Sequence, residues 1–228
     1  MARKPSSKSS RAASWLPAIG AAPKLGQVVE IGQAGRQNLR IIGGAWRGRK
    51  IPFATVMGLR PTQDRVRETL FNWISGPVAG ARCLDLFAGT GALGLEALSR
   101  GAKHVTFVDL SNIATTSLNN NLKQLPLAAD QTTVVEQKSS FDWLKHQQSE
   151  GGFSDQAAQY HLVFLDPPFA LTLMPDILKA LFTSNHLAPG AMIYVEQAQP
   201  LAQLDLPPPW KLHRNKKAGQ VHYGLISQ

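Results

Sequence analysis

The order of hydrophobic runs along this 228-residue chain predicts an α/β fold built on a mostly parallel sheet. Three observations predict it. From Arg82 onward, short apolar runs alternate with helical stretches, the pattern of strands that return in the same direction through a covering helix. Most strand candidates are predominantly apolar, as expected of strands covered on both faces. The last two runs are joined by only five residues, Asn215 to Gly219, too few for a crossover, so they form an antiparallel hairpin at one edge.

The elements follow in order. Residues 1–38 are small, polar and basic without sustained periodicity, and are expected to form a disordered arm. Order is expected to begin at Leu39-Arg40-Ile41-Ile42, pass Gly43-Gly44 and return along Trp46 to Phe53. Two short runs around a Gly-Gly pair predict a β-hairpin extension over 39–59, with the main α/β domain over 60–228. Thr62 or Asp64 caps a helix with Val66, Leu70, Trp73 and Ile74 on one face and Arg65, Glu68 and Asn72 on the other. Strands are then expected at 83–87, 105–109, 133–136, 161–165 and 191–196. Helices are expected at 91–99, 113–124, 141–148 and 174–183, and the closing strands at 211–214 and 220–226. The chain shows no internal repeat.

Composition narrows the function classes. No run of eighteen apolar residues suggests a membrane span. Pro5, Pro17 and Pro23 interrupt the N-terminal stretch, so no secretory segment is expected there. A single cysteine, Cys83, excludes an intrachain disulfide and a Cys/His metal cluster, and fits a reducing, cytoplasmic setting. The net charge is +9, and residues 1–50 carry all of it, with ten Lys/Arg against Glu30 alone. A neutral body with a cationic N-terminal region points to a polyanionic partner, most simply nucleic acid, the alternatives being a solubilising tail or an Arg/Ser-rich transit peptide. Within the hairpin, Arg40, Arg47, Arg49 and Lys50 are expected to form a cationic face with Trp46 interleaved, although charged residues also protect ordinary edge hairpins.

The chemistry concentrates in two motifs. Asp85-Leu86-Phe87-Ala88-Gly89-Thr90-Gly91-Ala92-Leu93-Gly94 lies at the first strand–helix junction and contains Gly-x-Gly-x-x-Gly. That spacing alone suits NAD, FAD or S-adenosylmethionine. Asp85 stands on the strand where a carboxylate can pair with the amino group of a methionine moiety, or simply fix its own loop. No second dinucleotide-binding half follows. Asp109, ending the next strand, suits the ribose hydroxyls, with helix capping as its competing role. Adenine is then expected near Leu110 and the Lys138-Ser139-Ser140 loop.

The second motif, Asp166-Pro167-Pro168-Phe169, follows an apolar strand. An exocyclic amino group is a weak nucleophile because its lone pair is delocalised into the ring. Asp166 and the Pro167 carbonyl can accept its protons and free the lone pair, while Phe169 stacks on the base. As a turn the sequence is unremarkable. Its meaning comes from register: all these motifs follow strands, and so share the rim where open α/β sheets bind ligands.

Arg40-Ile-Ile-Gly-Gly, Trp46-Arg-Gly-Arg-Lys50, Arg60-Pro-Thr, Asp64-Arg-Val-Arg-Glu-Thr-Leu-Phe-Asn-Trp73, the Asp85 loop, Asp166-Pro-Pro-Phe169 and Ala218-Gly-Gln-Val221 together resemble the RsmD family. The resemblance spans 39–227. It implies a Rossmann-like class I fold with a seven-stranded sheet whose last strand is antiparallel. It also implies methyl transfer from S-adenosylmethionine to N2 of guanine 966 of 16S rRNA in an assembled 30S particle. Arg60, Arg65 and Arg67 are then expected to hold rRNA or close over the donor. Ala45 stands where the family often has a charged residue, and the basic leader is longer than the family's usual start. Alternatives are an adenine-N6 DNA or RNA methyltransferase, and a donor-binding assembly factor without essential catalysis. A monomer is expected.

Overall fold

The computed structural model describes residues 37–53, 63–149, 159–169 and 172–228. Nearly all of the expected arm, the end of the hairpin extension and Arg60 lie outside the described residues. The first elements are β1 (Gln37–Arg40) and β2 (Lys50–Phe53), antiparallel, with Leu39 opposite Ile51. Their connection is longer than a turn around Gly43-Gly44. The chain makes a 3-10 turn at Gly44–Trp46, which puts Trp46 into the core, and Ile41 N–H closes the loop onto the Arg49 carbonyl at 3.0 Å. In α1 (Asp64–Trp73), Val66, Leu70 and Phe71 are buried. Thr62 lies outside the described residues, and Asp64 is not the cap: Gln63 holds the N-cap position without a side-chain bond, and Asp64 lies inside the first turn, paired with Arg67.

Strands and helices then alternate as β3 (Arg82–Asp85), α2 (Ala92–Ser99), β4 (His104–Asp109), α3 (Asn112–Leu122), β5 (Thr132–Gln137), α4 (Ser140–Ser149), β6 (Tyr160–Leu165), α5 (Met174–Phe182) and β7 (Leu187–Gln197). The hairpin of β8 (Lys211–Ala218) and β9 (Val221–Ser227) completes a seven-stranded sheet of order β5-β4-β3-β6-β7-β9-β8. All pairs from β5 to β7 are parallel, and β9, the last strand of the chain, runs antiparallel between β7 and β8. This is the expected Rossmann-like α/β sheet. β8 runs four residues further than its apolar content suggests, because its polar second half is held by backbone pairing to β9.

Two cores cover the sheet. On one face Leu70 and Phe71 of α1, Leu95 and Leu98 of α2, and Leu118 of α3 pack with Leu39 and Ile51 of the hairpin. On the other, Trp143 and Leu144 of α4 pack with Ile177, Leu178 and Leu181 of α5. The i, i+1, i+4 spacing of the α5 residues is the apolar stripe that buries this helix. Gly94 lets α2 lie close on the sheet: a Cβ there would overlap the Phe107 ring of β4. No described helix is long and apolar enough to cross a membrane.

Candidate active site

The C-terminal ends of β3, β4 and β6 are adjacent, and they carry Asp85, Asp109 and the 166–169 tetrad. The connection from β3 to α2 is a tight loop in which Gly89 and Gly91 have φ of 51° and 77°, a region that disfavours side chains. Gly91 is also sterically closed, since a Cβ would come within 2.6 Å of Leu118 Cδ1. Ala88 N–H donates to the Val108 carbonyl at 3.0 Å, tying the loop to β4. Phe87, Ala88 and Thr90 shape this loop, with Phe87 and Gly89 half-buried and Ala88 and Thr90 buried.

Asp85 is 2% exposed, and its Oδ2 accepts the Gly94 amide at 3.1 Å. Burial, then the charges of Asp166 and Asp109, push its carboxyl up to about 7. Asp109 accepts the Gly89 amide on Oδ2 at 2.7 Å and the Ser111 amide on Oδ1 at 2.8 Å. The capping role falls to Ser111, whose Oγ accepts the Ala114 amide at 3.3 Å. A carboxylate has about four acceptor sites, so Asp109 keeps capacity for ligand hydroxyls. Leu110 beside it is 41% exposed, an apolar platform next to the loop.

The expectation for Ser139 and Ser140 needs correction. Ser139 caps α4: its Oγ accepts the Asp142 amide at 3.0 Å and donates to Asp142 Oδ2 at 2.6 Å. Ser140 is buried and donates to the Leu86 carbonyl, anchoring α4 to the glycine loop. Both hydroxyls are engaged within the protein, and Leu110 and Lys138 are the exposed side chains near this position.

At the tetrad, Asp166 is partly exposed, Pro167 is buried, and Phe169 is 38% exposed. A shallow depression beside it is lined by Pro167, Phe169, Leu173, Met174, Gln197 and Gln199. Sequence reasoning missed the group behind it. β6 and β7 pair Leu165 with Val195, so Glu196 neighbours Asp166 one step further along. Glu196 is buried and accepts a hydrogen bond from the Tyr194 hydroxyl at 2.7 Å. Burial, then the negative charge of Asp166, push the Glu196 carboxyl well above the usual carboxylate range. The available signal was an acid ending the apolar strand Met192–Val195. Cys83 is buried, and burial raises its thiol, which suits no nucleophilic role.

The expected RNA-facing residues divide. Arg40, Arg47, Arg49 and Lys50 on the hairpin and Arg65 on α1 are exposed. Trp46 and Arg67 are not, and their assignment is corrected. Trp46 is buried and donates from Nε1 to the Pro126 carbonyl at 3.3 Å. Arg67 is fully buried and donates from Nη2 to the Arg40 carbonyl at 2.9 Å and to Asp64 at 2.6 Å, while its Nη1 lies 3.7 Å from Glu96. Glu96 also accepts the Ile42 and Gly43 amides, each at 2.8 Å, and Arg100 Nε at 2.8 Å. These two side chains mount the hairpin on the domain. A buried charge pair needs such additional hydrogen bonds to offset its desolvation.

Comparison with known proteins agrees with this geometry. The sequence profile of the family described as conserved hypothetical protein 95 matches residues 39–227. Ribosomal RNA small subunit methyltransferase D of Haemophilus influenzae is 45% identical over 187 residues, covering 82% of this chain and 92% of that protein. The Escherichia coli protein of the same name is 42% identical over 195 residues, covering 86% and 92%. The solved structure of the putative methyltransferase yhhF from Escherichia coli shares 41% identity at a TM-score of 0.71, covering 84% of this chain and 98% of that one. With a matching family profile over 39–227 and relatives aligned over most of their own length, the chain belongs to the RsmD family of methyltransferases.

Proposed function

We propose that this protein transfers a methyl group from S-adenosylmethionine to the exocyclic N2 of guanine 966 of 16S rRNA, within the 30S subunit, acting as a cytoplasmic monomer. The observation that carries the reading is the row of Asp85, Asp109 and the Asp166 tetrad along one rim of the sheet. The names of the relatives from Haemophilus influenzae and Escherichia coli support small-subunit rRNA as the substrate class. The family resemblance supplies the base and its position.

The rim fits the donor. Asp85 accepts from its ammonium group, Asp109 from its ribose hydroxyls, and Leu110 packs against adenine. The N-terminal amides of α2 face its carboxylate, where the helix dipole favours negative charge. When bound, S-adenosylmethionine supplies an electrophilic methyl on a sulfonium sulfur. Asp166 and the Pro167 carbonyl would accept hydrogen bonds from the two N–H groups of the guanine amino group, aiming the nitrogen lone pair for in-line attack. As the N–C bond forms the methyl–sulfur bond breaks, the neutral thioether leaves, and one amino proton passes to Asp166 or solvent. Phe169 stacks on the base once it has left its neighbours' stack. No covalent enzyme adduct is needed, so the rate comes mainly from positioning.

The test is incubation with methyl-labelled donor and three acceptors: unmethylated 30S particles, naked 16S rRNA and duplex DNA. Label is expected in the rRNA of the particles, at one guanine. Label on DNA alone would overturn the reading in favour of adenine-N6 chemistry. Donor binding without transfer to any acceptor would favour the assembly-factor alternative.

A further inference from the structure

The cationic hairpin is not the only basic surface, and its loop is not near the chemistry. The 3-10 turn beside Arg47 and Arg49 bonds the C-terminal end of α2: Trp46 N–H donates to Ser99 Oγ at 2.9 Å, and Ser99 Oγ donates to the Gly43 carbonyl at 2.6 Å. The glycine loop lies at the other end of that helix.

The opposite edge of the sheet has the better placement. From residue 206 to the C-terminus the sequence contains Lys211, Arg214, Lys216 and Lys217 and no acid. All four lie on β8, the terminal strand of the sheet, and all four are exposed. None makes an ion pair with a described residue. Pairing carries this strand to the rim. Lys216 stands opposite Tyr223, and Tyr223 stands opposite Glu196, the neighbour of Asp166. In the next row Lys217 stands opposite His222, and His222 opposite Gln197, which lines the depression beside the tetrad. At about 4.8 Å per strand, Lys216 is roughly 14 Å from Asp166 across the sheet. Lys216 is fixed on an aromatic base, with Nζ 5.8 Å above the Trp73 ring, which stacks on Tyr223 at 5.6 Å. From there Arg214 and Lys211 continue the charge along the edge, away from the rim.

We propose that β8 is a second RNA-binding surface, in which Lys211, Arg214, Lys216 and Lys217 hold phosphates of the RNA flanking the target nucleotide. The partner follows from charge complementarity. A run of unpaired cations leading from the acceptor site along an exposed edge matches a polyanionic strand whose base is held at that site. The proposal rests on the rRNA reading above. Its competitor is edge protection, since lysines on a terminal strand also deter strand-to-strand aggregation.

The test uses the full chain with the substitutions K211Q, R214Q, K216Q and K217Q combined. It reads KM for unmethylated 30S particles, the salt dependence of particle binding, donor affinity and thermal stability. KM is expected to rise about tenfold or more, and the slope of log affinity against log salt to fall by up to about 3, at roughly 0.7 per single-strand phosphate contact. Donor affinity should stay within about twofold. K179Q, on the exposed side of α5, should change neither KM nor slope. The charge-preserving set K211R, K216R and K217R should keep wild-type values. If the fourfold variant loses stability, the pair K216Q and K217Q nearest the rim is read in the same way. A wild-type KM and salt slope in a folded variant would overturn the proposal and leave β8 as a guarded edge. Failure of the rRNA reading looks different, because the wild-type protein itself would then leave the particle unlabelled.

Discussion

The proposed donor half of the rim and the proposed acceptor half are built on different plans. In the donor half, the carboxylates are already held by backbone amides: Gly94 on Asp85, and Gly89 and Ser111 on Asp109. That half is assembled from one short segment and the end of the next strand. In the acceptor half, Asp166 is partly exposed and Phe169 exposed on a prolyl turn, and the buried group behind them comes from a strand thirty residues later. In the proposed function, the difference is that of a preformed ligand cradle against a clamp that its substrate completes. A small donor can be bound by fixed dipoles at little cost in ordering, whereas a nucleotide pulled from an RNA brings its own ring to fill the open side.

The sharpest way to break this comparison is Asp166→Ala. It is expected to lower kcat by about 100-fold or more, because the amino group loses its alignment. Donor affinity measured by calorimetry should stay within about twofold. Near-normal turnover would remove Asp166 from the clamp. A large loss of donor affinity would show that the two halves are one cradle.

The converse substitution, Asp109→Ala, should weaken donor binding by about tenfold to a hundredfold, as expected for hydrogen bonds to a charged group. KM for the particle should hardly move. Unchanged donor affinity would return Asp109 to its loop amides alone. Phe169→Ala comes next. Base stacking on an aromatic ring contributes about 1–3 kcal/mol, so KM for the particle should rise roughly tenfold with donor affinity intact. A wild-type KM would place the base elsewhere on the rim.

The same contrast explains what the sequence could reveal. The shape of the glycine loop was legible because its determinants are local: Asp85 to Gly94 encodes strand end, turn and helix start in ten residues. The parallel strands were legible from their alternation with helices, and the antiparallel end from its short final connection. Glu196 was not, since its significance appears only when β7 pairs beside β6 and brings it next to Asp166. Arg67 and Trp46 misled for a related reason. A basic residue near other basic residues reads as a nucleic-acid contact, and nothing local shows that Glu96, 29 positions further along the chain from Arg67, awaits it in the core. Likewise the β8 charges looked neutralised within a body of balanced charge, until the fold placed them together on one edge.

The gentlest probe of the comparison is pH. Burial and the nearby charges of Asp166 and Asp109 raise the Asp85 carboxyl from an ordinary 3.8 to about 7. The folded protein therefore retains a proton that the unfolded chain releases. The contribution of this group to stability is present below about pH 3.8 and is lost as pH rises through about 7. A donor ammonium beside Asp85 favours the ionised form, so binding expels that proton. Donor affinity is expected to strengthen by about tenfold between roughly pH 6 and 8, the change in ionised fraction across a pKa near 7. Calorimetry in buffers of different ionisation heat reads the released proton directly. Asp85→Asn should flatten the profile. A flat profile in the wild-type protein, or proton uptake on binding, would leave Asp85 serving only the Gly94 amide, and the cradle would then hold the methionine end of the donor through the helix N-terminus alone.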